Sequence, residues 1–424
     1  RLMAVDTTKT LRGQVIYSIF PRNFSAAGTF AAIEPELDRI KALGTDIIWL
    51  MPIHPIGKVN RKGALGSPYA IQDYREVNPE YGTKADFVQL TEAIHARGMK
   101  VIIDVVYNHT SPDSWLIQHH PEWFYRKPNG DFGNKTGDWT DVKDLDYSLS
   151  HDLWEYQIET LQMWAEFVDG FRCDVASLVP LDFWLEARQA VAKVRPDAVW
   201  LSESVEESFV SYNRSQGQTA LSESEIFQAF DMAYDYDVFE IFNGVLTGKR
   251  SLADYAEALT RQTVIYPDNY IKMRYLENHD NFRAAALIPD PEKLTTWTAF
   301  MYFQQGTTQL YAGQEVHAKH IPSLFDADKV DWQTGLDQSD YLARLAEITS
   351  AEIFKTGYYT IKADGLALIG KYVLGDEIIV GLFPVQGIGI AHLNGKYEDL
   401  LTGDIVQSNN GKVAFHQAMI LKEI

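Results

Sequence analysis

Short apolar runs rich in β-branched and aromatic residues recur along the chain and predict strands. Eight of them are separated from one another by polar or helical segments: "GQVIYSIF", "DIIWLMP", "VIIDVVYNH", "GFRCDVA", "VWLSES", "AFDMAYDY", "IKMRYLENHD" and "TTQLYAGQE". Runs of this length and composition are typical of β-strands.

Helical periodicity fills several of the intervals between these runs. Residues 83–98 carry an apolar stripe, with Thr83 as the predicted N-cap and Gly98 as the stop signal. Ser150 begins a second such pattern, which ends before Gly170 opens the next strand. Alternating strands and helices predict parallel strands joined by crossover helices.

Eight such strands predict a closed (β/α)8 barrel, the TIM-barrel class of α/β fold. The predicted strands start near residues 14, 46, 101, 170, 199, 229, 271 and 308. A barrel of this kind takes roughly 250 residues and tolerates insertions. The longest interval, between 101 and 170, contains a segment rich in Pro, Gly, Asn and Trp over residues 111–145. We expect this segment to form a short inserted domain B over the barrel mouth.

After about residue 350 the pattern changes to short alternating runs such as "GLALIGKYVL" and "EIIVGLFPV". This alternation predicts a small C-terminal domain C, an antiparallel β-sandwich. The predicted division is therefore residues 1–110 and 146–350 for the barrel, 111–145 for domain B and 351–424 for domain C.

Composition and charge narrow the class of protein. The chain has 424 residues and a formal net charge of −20, which disfavours nucleic acid and anionic membranes as partners. The only cysteine, Cys173, is predicted to pack in the core. Because no signal-peptide pattern precedes the first strand, a cytoplasmic location is expected, although a removed leader stays open, as does the oligomeric state.

Ionisable and amide side chains collect where four of the predicted strands end. In chain order they are Asp104, Asn108, His109, Arg172, Asp174, Glu203, Glu277, Asn278, His279 and Asp280. Any one of them could be a turn residue or half of a structural ion pair. In a (β/α)8 barrel, however, all strand C-termini open on one face, where catalytic groups from several strands meet. The coincidence across four strands therefore predicts an active site.

The stretch "GFRCDVAS" places an arginine and an aspartate on one face of a strand. Side chains alternate along a strand, so Arg172 and Asp174 point one way and Cys173 the other. Arg172 is expected to lower the pKa of Asp174 and keep it ionised, as a nucleophile must be. The charge of Asp174 is expected to raise the pKa of Glu203 towards that of a proton donor. Such paired carboxylates suggest glycoside hydrolysis, with Asp280 as a third carboxylate.

Four of these segments resemble the short motifs of the α-amylase family, glycoside hydrolase family 13. "DVVYNH", "GFRCDVAS", "SES" and "YLENHDN" follow the family's order on the corresponding strands. "DLDYS" at 144–148 resembles the motif near the end of the family's domain B, and "YAGQE" at 311–315 resembles its eighth strand. The resemblance runs from about residue 12 to 350, and four ordered motifs are far more specific than one.

The resemblance implies a role for each matching residue. Asp174 corresponds to the nucleophile, Glu203 to the acid/base and Asp280 to the third carboxylate. The residues implied to bind the sugar are Asp104, His109, Arg172, His279 and Arg283. "SPYAIQDYREVNPEYGT" resembles the loop after the family's second strand, which implies that Tyr69 is an aromatic platform under the sugar.

Two positions depart from patterns inside the family and bear on the substrate. Ala70 stands where oligosaccharide-trimming exo-glucosidases usually carry an aspartate after the platform tyrosine, which favours an open cleft and cutting inside a chain. Val175, after the nucleophile, resembles members that cut or tolerate α-1,6 links. The two point in different directions, so linkage preference and endo or exo action stay open.

A structural calcium ion is the one cofactor candidate, and the chemistry itself requires none. Asn108 resembles the family's usual calcium ligand, whereas the Lys-His pair that many amylases carry after the nucleophile is Ser-Leu here. Three aspartates could add oxygen ligands or cap turns: Asp138, Asp141 and Asp144. The adjacent His119 and His120 are interpreted as loop residues and not zinc ligands, since neighbours in sequence rarely point at one ion.

These observations predict a retaining hydrolase that cleaves mainly α-1,4 links in malto-oligosaccharides, dextrins or starch through an ester on Asp174. Three alternatives stay open. The same ester could be captured by a sugar hydroxyl, which would make the protein a glucanotransferase. An α-1,6-acting or neopullulanase-like specificity would suit Val175. A non-catalytic carbohydrate-binding relative would be expected to have lost a carboxylate, and all three are present.

Overall fold

Eight parallel strands close into a barrel in this computed structural model, which describes residues 6–424. Neighbouring strands pair in parallel all the way round, and the first pairs with the eighth. The barrel strands, here called the first to the eighth, are Val15–Ile19, Ile47–Leu50, Lys100–Val105, Gly170–Cys173, Val199–Ser202, Met232–Tyr234, Ile271–Arg274 and Thr307–Tyr311. The predicted fold class is confirmed.

The strand starts agree with the sequence pattern to within one residue, except for the sixth. That strand begins at Met232 and not near 229. Residues 227–231 leave the preceding helix, and the Asp231 carboxylate accepts a hydrogen bond from the Trp200 amide at 2.8 Å. The Asp231 amide also donates to the Trp200 carbonyl at 2.9 Å, so side chain and main chain together join the two segments just before the regular strand begins.

Helices surround the barrel and connect its strands. The α-helices are Pro21–Phe24, Leu37–Ala42, Lys84–Ala96, Trp115–His119, His151–Ala165, Leu181–Ala192, Glu207–Ser215, Glu223–Ile226, Tyr236–Leu246, Leu252–Ile265, Ala284–Leu287, Pro291–Phe303, Ser339–Thr349 and Ile353–Thr356. The 3-10 helices are Lys9–Leu11, Glu34–Glu36, Pro121–Trp123, Ala176–Leu178 and Gln314–Val316. Thr83 and Ser150 cap their helices as predicted, since each hydroxyl accepts a first-turn amide. Within residues 6–424, every helix is too short or too polar to span a lipid bilayer.

The inserted segment, residues 111–145, contains little regular structure. His109–Thr110 and Lys143–Asp144 form a two-stranded antiparallel pair at its two ends. This pairing returns the chain to the carboxyl end of the third strand after the excursion. The excursion therefore lies on the side of the barrel where the predicted active-site residues are.

A C-terminal antiparallel sheet follows the barrel. The strands of this domain are Tyr358–Asp364, Ala367–Leu374, Glu377–Phe383, Gly389–His392, Lys396–Asp399, Ile405–Gln407, Lys412–Phe415 and Met419–Glu423. Six of them form one sheet, and Gly389–His392 pairs with Lys412–Phe415 in a second. This confirms the predicted antiparallel C-terminal domain, while the domain boundaries at 110, 145 and 350 stay a prediction.

The barrel and the C-terminal sheet share one apolar core. Phe303, at the end of a barrel helix, contacts Tyr372 and Phe383 of the sheet at ring-centroid distances of 5.1 Å. Gly370 faces the same ring, and a Cβ atom there would lie 2.4 Å from a Phe303 ring carbon. Glycine at this position therefore permits the close approach of the sheet to the helix.

Candidate active site

The third and fourth strands bring Asp104 and Arg172 together inside the barrel. The two residues are partners in the strand register, so their side chains lie side by side on the inner face. Both are fully buried. Arg172 Nη1 donates to Asp104 Oδ1 at 2.9 Å. The predicted face of the "GFRCDVAS" strand is therefore the barrel interior, and Cys173 is buried on the other side.

One guanidinium group connects three carboxylates at the mouth of the barrel. Besides Asp104, Arg172 Nη1 donates to Asp174 Oδ1 at 3.0 Å, and Arg172 Nη2 lies 3.1 Å from Glu203 Oε2. Asp174 and Glu203 thus meet on the two amino groups of one side chain. The arginine therefore brings two carboxyl groups from neighbouring strands together at the barrel mouth.

Two aromatic residues fix the orientation of Arg172 and Asp104. The Tyr234 hydroxyl accepts from Arg172 Nε at 3.1 Å and from Nη2 at 3.0 Å. Trp49 Nε1 donates to Asp104 Oδ2 at 3.1 Å. Sequence reasoning missed both, because an aromatic residue within an apolar strand reads as core. The signal that could have found them is chemical, since a buried Tyr or Trp usually gives its polar atom a partner.

Main-chain groups hold Glu203 from the fourth-strand side. The Val175 amide donates to Glu203 Oε1 at 2.9 Å, and the Ala176 amide donates to the Glu203 carbonyl at 3.0 Å. Val175 adopts a left-handed conformation, with φ of 36°, that a β-branched residue rarely takes. The fourth strand ends before it, at Cys173. This backbone turn, following directly on Asp174, aims two successive amides at Glu203.

The structure corrects the predicted pKa of Asp174. Burial raises the pKa of Asp174, and the lowering by Arg172 does not overcome it. The guanidinium of Arg172 also pairs with Asp104 and Glu203, so its lowering of the pKa of Asp174 is smaller than the increase caused by burial. A hydrogen bond from Glu203 also favours the ionised Asp174. The expectation that Arg172 would lower this pKa on balance is therefore wrong.

Glu203 has the elevated pKa that the sequence predicts, mainly for a different reason. Burial raises the pKa of Glu203 to about 8, and Asp174 and Asp280 add to the effect while Arg172 opposes it. The single positive charge of Arg172 cannot neutralise all three carboxylates that it contacts. The elevated pKa suits Glu203 to hold a proton near neutral pH, as a proton donor must.

Asp280 completes the group of carboxylates beside His279 and Tyr69. His279 Nε2 lies 3.0 Å from Asp280 Oδ2 and 3.0 Å from the Tyr69 hydroxyl, which donates to Asp104 Oδ2 at 2.9 Å. Burial would raise the pKa of Asp280, but His279 outweighs it and lowers the pKa to about 2. The Asp280 side chain is 42% exposed, so an ionised carboxylate faces the opening.

Tyr69 and His109 lie beside this group. The Tyr69 ring stacks on His279 with 5.4 Å between centroids and 13° between planes, and it is half-buried. His109 is buried, which lowers its pKa and leaves the imidazole neutral. Trp139, from the inserted segment, lies 6.3 Å from His109 between ring centroids. This tryptophan is a second neighbour that sequence reasoning did not single out.

Arg283 lies behind the site and not in it. It is fully buried, and Nη1 donates to Glu277 at 2.6 Å, Nε to the His320 carbonyl and Nη2 to the Ala312 carbonyl. Each of its three nitrogen atoms donates to a protein oxygen. That Arg283 binds substrate stays a prediction, and its burial does not support it.

The residues proposed as calcium ligands do not fit a calcium site. Both Asp144 oxygens accept hydrogen bonds, from the Asn134 side chain at 3.1 Å and from the Lys135 amide at 2.7 Å. The Asp141 carboxylate pairs with Lys62 at 3.7 Å. Asn108 Oδ1 is buried without a hydrogen-bond partner in residues 6–424, but Lys135 lines the same void of about 10 Å³. A cationic side chain beside a single free oxygen is a poor calcium site.

The remaining sequence expectations concern surface and specificity. His119 stacks on Trp115 and His120 on Trp123, and the described residues hold no cluster of three metal-ligating side chains. His119 ends a short helix, so it does not lie in a loop as expected. Ala70 is 2% exposed and contributes almost no surface to the cleft. The burial of Ala70 therefore gives no support to an open cleft or to cutting inside a chain.

A closed (β/α)8 barrel with three carboxylates around one arginine at its mouth defines an enzyme of the glycoside hydrolase type. The sequence matches the family described as the α-amylase catalytic domain over residues 18–355. The chain belongs to the α-amylase family.

Individual relatives agree with this assignment. The chain is 46% identical to an α-amylase from Lactobacillus plantarum, over 98% of this chain and all of that one, with a TM-score of 0.96. A maltogenic α-amylase from Thermotoga neapolitana is 34% identical over 97% and 99% of the two chains, with a TM-score of 0.86. The α-1,4-glucan:maltose-1-phosphate maltosyltransferase of Myxococcus xanthus is 30% identical over 272 residues, 58% of this chain. The match spans 38% of that transferase's length.

Proposed function

We propose that this protein is a retaining hydrolase that cleaves mainly α-1,4 links in malto-oligosaccharides, dextrins or starch. One observation carries the proposal. The Arg172 guanidinium holds Asp174 and Glu203 on its two amino groups, and burial raises the pKa of Glu203 to about 8. A raised pKa suits Glu203 to the role of proton donor and leaves the role of nucleophile to Asp174.

The proposed reaction has two steps. In the first, the Asp174 carboxylate attacks the anomeric carbon while Glu203 gives its proton to the departing glycosidic oxygen, which leaves a glycosyl ester on Asp174. In the second, Glu203 takes a proton from water, which attacks the same carbon and releases Asp174. Asp280, ionised and open to the cleft, stabilises the positive charge that develops on the ring.

Neutral glucose polymers suit both the charge and the surroundings of the site. The chain carries a formal charge of −20, which an uncharged ligand tolerates. Tyr69 offers a half-buried aromatic ring and Asp104 a buried carboxylate that fixes its hydroxyl. The Lactobacillus plantarum and Thermotoga neapolitana relatives are described as amylases, which supports α-glucans as the substrate class.

The decisive test follows the anomeric configuration of the product from maltoheptaose by proton NMR. A retaining reaction gives the α-anomer first, followed by slow mutarotation. Asp174→Asn is expected to abolish hydrolysis, and Glu203→Gln to lower kcat by roughly 10²–10⁴-fold. Asp182→Asn, an exposed aspartate on a barrel helix, is the matched control and should match the wild type. A β-anomer as first product, or an active Asp174→Asn, would overturn the proposal.

Transfer of the glycosyl group to another sugar is the second candidate. The similarity to the Myxococcus xanthus maltosyltransferase favours testing it, because the ester on Asp174 can react with a sugar hydroxyl instead of water. Chromatography of maltoheptaose digests at high substrate concentration separates the two. Chains longer than seven units, or phosphate release from maltose 1-phosphate with glycogen as acceptor, would indicate a transferase.

Linkage preference is decided by parallel digests of pullulan and panose. Mainly α-1,4 action predicts cleavage of maltoheptaose with little attack on the α-1,6 bonds of either substrate. Panose releases glucose whichever bond is cut, so its disaccharide co-product is the readout: isomaltose would favour α-1,4 action and maltose the α-1,6-tolerant alternative. In that case the partly exposed Val175 side chain, next to the nucleophile, is the residue to exchange first.

A further inference from the structure

A buried chain of polar side chains lies behind the proposed active site and has no part in the reaction described above. Ser204, directly after Glu203, donates its hydroxyl to Glu223 Oε1 at 2.5 Å. The other Glu223 oxygen accepts from the Lys272 ammonium. The Ser204 and Lys272 residues are 1% and 0% exposed. We call Ser204, Glu223 and Lys272 the rear network.

The rear network connects two barrel strands that carry active-site residues. Ser204 follows the fifth strand, which ends at Ser202, so strand pairing does not hold it. Lys272 belongs to the seventh strand, whose carboxyl end leads to Asp280. Glu223, on the short helix Glu223–Ile226, joins the two. The position of the Glu203 backbone is thereby tied to the seventh strand.

Lys272 also supports the arginine at the centre of the site. Its ammonium donates to the Tyr234 carbonyl at 3.0 Å, and the Tyr234 hydroxyl is the group that accepts from Arg172 Nε and Nη2. Asp237 lies 3.2 Å from the same ammonium and balances its charge. Lys272 is therefore connected to Ser204, at the end of the fifth strand, through Glu223. It is also connected to the Arg172 guanidinium through Tyr234.

Such an arrangement is costly unless it is complete. An ammonium and two carboxylates are removed from water, and only full pairing offsets the loss of hydration. Asp237 is satisfied by Gln262 and by the Tyr266 hydroxyl, at 3.0 and 2.8 Å. Well-packed apolar side chains in these positions would give the fold similar or greater stability. Stability alone therefore does not account for this polar network, which indicates a role in positioning other polar groups.

We propose that Ser204, Glu223 and Lys272 are positioning residues that hold Glu203 and Arg172 in their reactive arrangement. The inference deepens the proposed function and rests on it. None of the three contacts the carboxylate oxygens of Glu203, so they act through the backbone and through Tyr234. A displacement of Glu203 by about 1 Å is enough to lower turnover by up to 10²-fold.

The test begins with Ser204→Ala, the mildest change, and Ser204→Thr, which keeps a hydroxyl. For Ser204→Ala we expect kcat on maltoheptaose to fall by about 10-fold with KM within about twofold of the wild type, because orientation and not binding is lost. Ser204→Thr should recover most of the activity. Equal loss in both variants, or a rise in KM with kcat unchanged, would overturn the inference.

Glu223→Gln tests the middle of the rear network. Glu225→Gln is the matched control, since Glu225 lies on the same helix and pairs with Arg214 at the surface, and glutamine keeps an oxygen that can accept the Ser222 amide of the helix cap. We expect Glu223→Gln to lower kcat and Glu225→Gln to leave it unchanged. The double variant Ser204→Ala with Glu223→Gln should lose no more than the worse single variant, because both interrupt one connection. Additive losses would contradict the proposal.

A measurement independent of turnover separates failure of this inference from failure of the proposed function. Carbon-13 NMR of glutamate-labelled protein follows the titration of Glu203, assigned by its absence in Glu203→Gln. The titration midpoint should move in Ser204→Ala and Glu223→Gln, and stay in place in Glu225→Gln. If the wild type hydrolyses no α-glucan and the midpoint still moves, the proposed function fails and the positioning role stands. An unmoved midpoint refutes the positioning role whatever the activity.

Discussion

At the scale of single residues, the chemistry of the site follows from an imbalance of charge. Arg172 contacts Asp104, Asp174 and Glu203, so one buried positive charge faces three buried carboxyl groups. Full ionisation of all three would leave excess negative charge in a medium that solvates it poorly. A proton on Glu203 reduces this excess, and the raised pKa of Glu203 suits that residue to the role of acid.

The pH dependence of activity is the first consequence. Glu203 must be protonated to act as acid, and its pKa is raised to about 8, so kcat/KM should fall as the pH rises through about 8. Asp174 must be ionised, and its raised pKa moves the acid limb above the ordinary range for an aspartate. Initial rates on maltoheptaose from pH 4 to 10 provide the check. An alkaline limb near pH 5 would contradict the protonated state of Glu203.

The stability of Glu203→Gln is the second consequence at this scale. A carboxyl group whose pKa is raised on folding binds its proton more tightly in the native state. Its contribution to the free energy of unfolding is full below the unfolded pKa of about 4.5 and is lost as the pH rises through about 8. Glutamine is neutral throughout, so Glu203→Gln should be more stable than the wild type at pH 8.

The expected gain can be bounded and controlled. One pKa unit corresponds to about 1.4 kcal/mol, so even part of the shift gives roughly 1–3 kcal/mol at pH 8 and little at pH 4.5. Urea unfolding at the two pH values measures it. Glu225→Gln, at the surface, serves as control because its exposed carboxylate is not shifted upwards. A Glu203→Gln variant that is less stable at pH 8 would show that Glu203 is ionised in the resting protein.

At the scale of elements, the inserted segment is anchored by hydrogen bonds in places where the family resemblance implies calcium. Asp144 accepts from Asn134 and Lys135, and its strand pairs with the strand that begins at His109. These bonds close the segment onto the barrel. Burial lowers the pKa of Lys135 while Asp144 and Asp146 oppose it, as expected for an ammonium enclosed near carboxylates.

Chelation should therefore change neither stability nor activity. A calcium site filled at 100 times its Kd would add about 2.7 kcal/mol, a loss that thermal unfolding detects readily. We expect the same unfolding midpoint in EDTA and in excess calcium, and elemental analysis without stoichiometric calcium. A midpoint that falls in EDTA and returns on addition of calcium would show that Asn108 and its neighbours bind the ion after all.

Elements of the fold could be predicted from sequence more fully than the contacts between them. The strands followed from apolar runs and the caps at Thr83 and Ser150 from local chemistry, because both signals are short-range. The direction of Arg283 could not be predicted, since its partners Glu277 and the Ala312 carbonyl come from two different strand ends. Trp49 and Tyr234 were missed for the same reason, as each acquires its role from a residue of another strand.

At the scale of the whole molecule, the barrel and the C-terminal sheet unfold together if they share a core. Phe303 is fully buried between them, and the Tyr372 hydroxyl of the sheet donates to the Phe303 carbonyl at 2.7 Å. All ten tryptophans lie between residues 49 and 332, outside the C-terminal strands. Tryptophan fluorescence therefore reports on the barrel side, and a change made in the sheet tests the coupling.

Gly370→Ala is the change that tests it. The added methyl would lie 2.4 Å from the Phe303 ring, so the sheet and helix must move apart, at a cost of about 1–3 kcal/mol. Because the core is continuous, we expect one urea transition, shifted to lower concentration by fluorescence and circular dichroism alike. Lys371→Ala, on the exposed face of the same strand, is the control and should shift the midpoint little.

The double variant Phe303→Leu with Gly370→Ala should lose less stability than the sum of the two single variants, since a smaller side chain relieves the clash. If fluorescence of Gly370→Ala keeps the wild-type midpoint while the sheet unfolds early, the two parts are independent units and the shared core does not couple them.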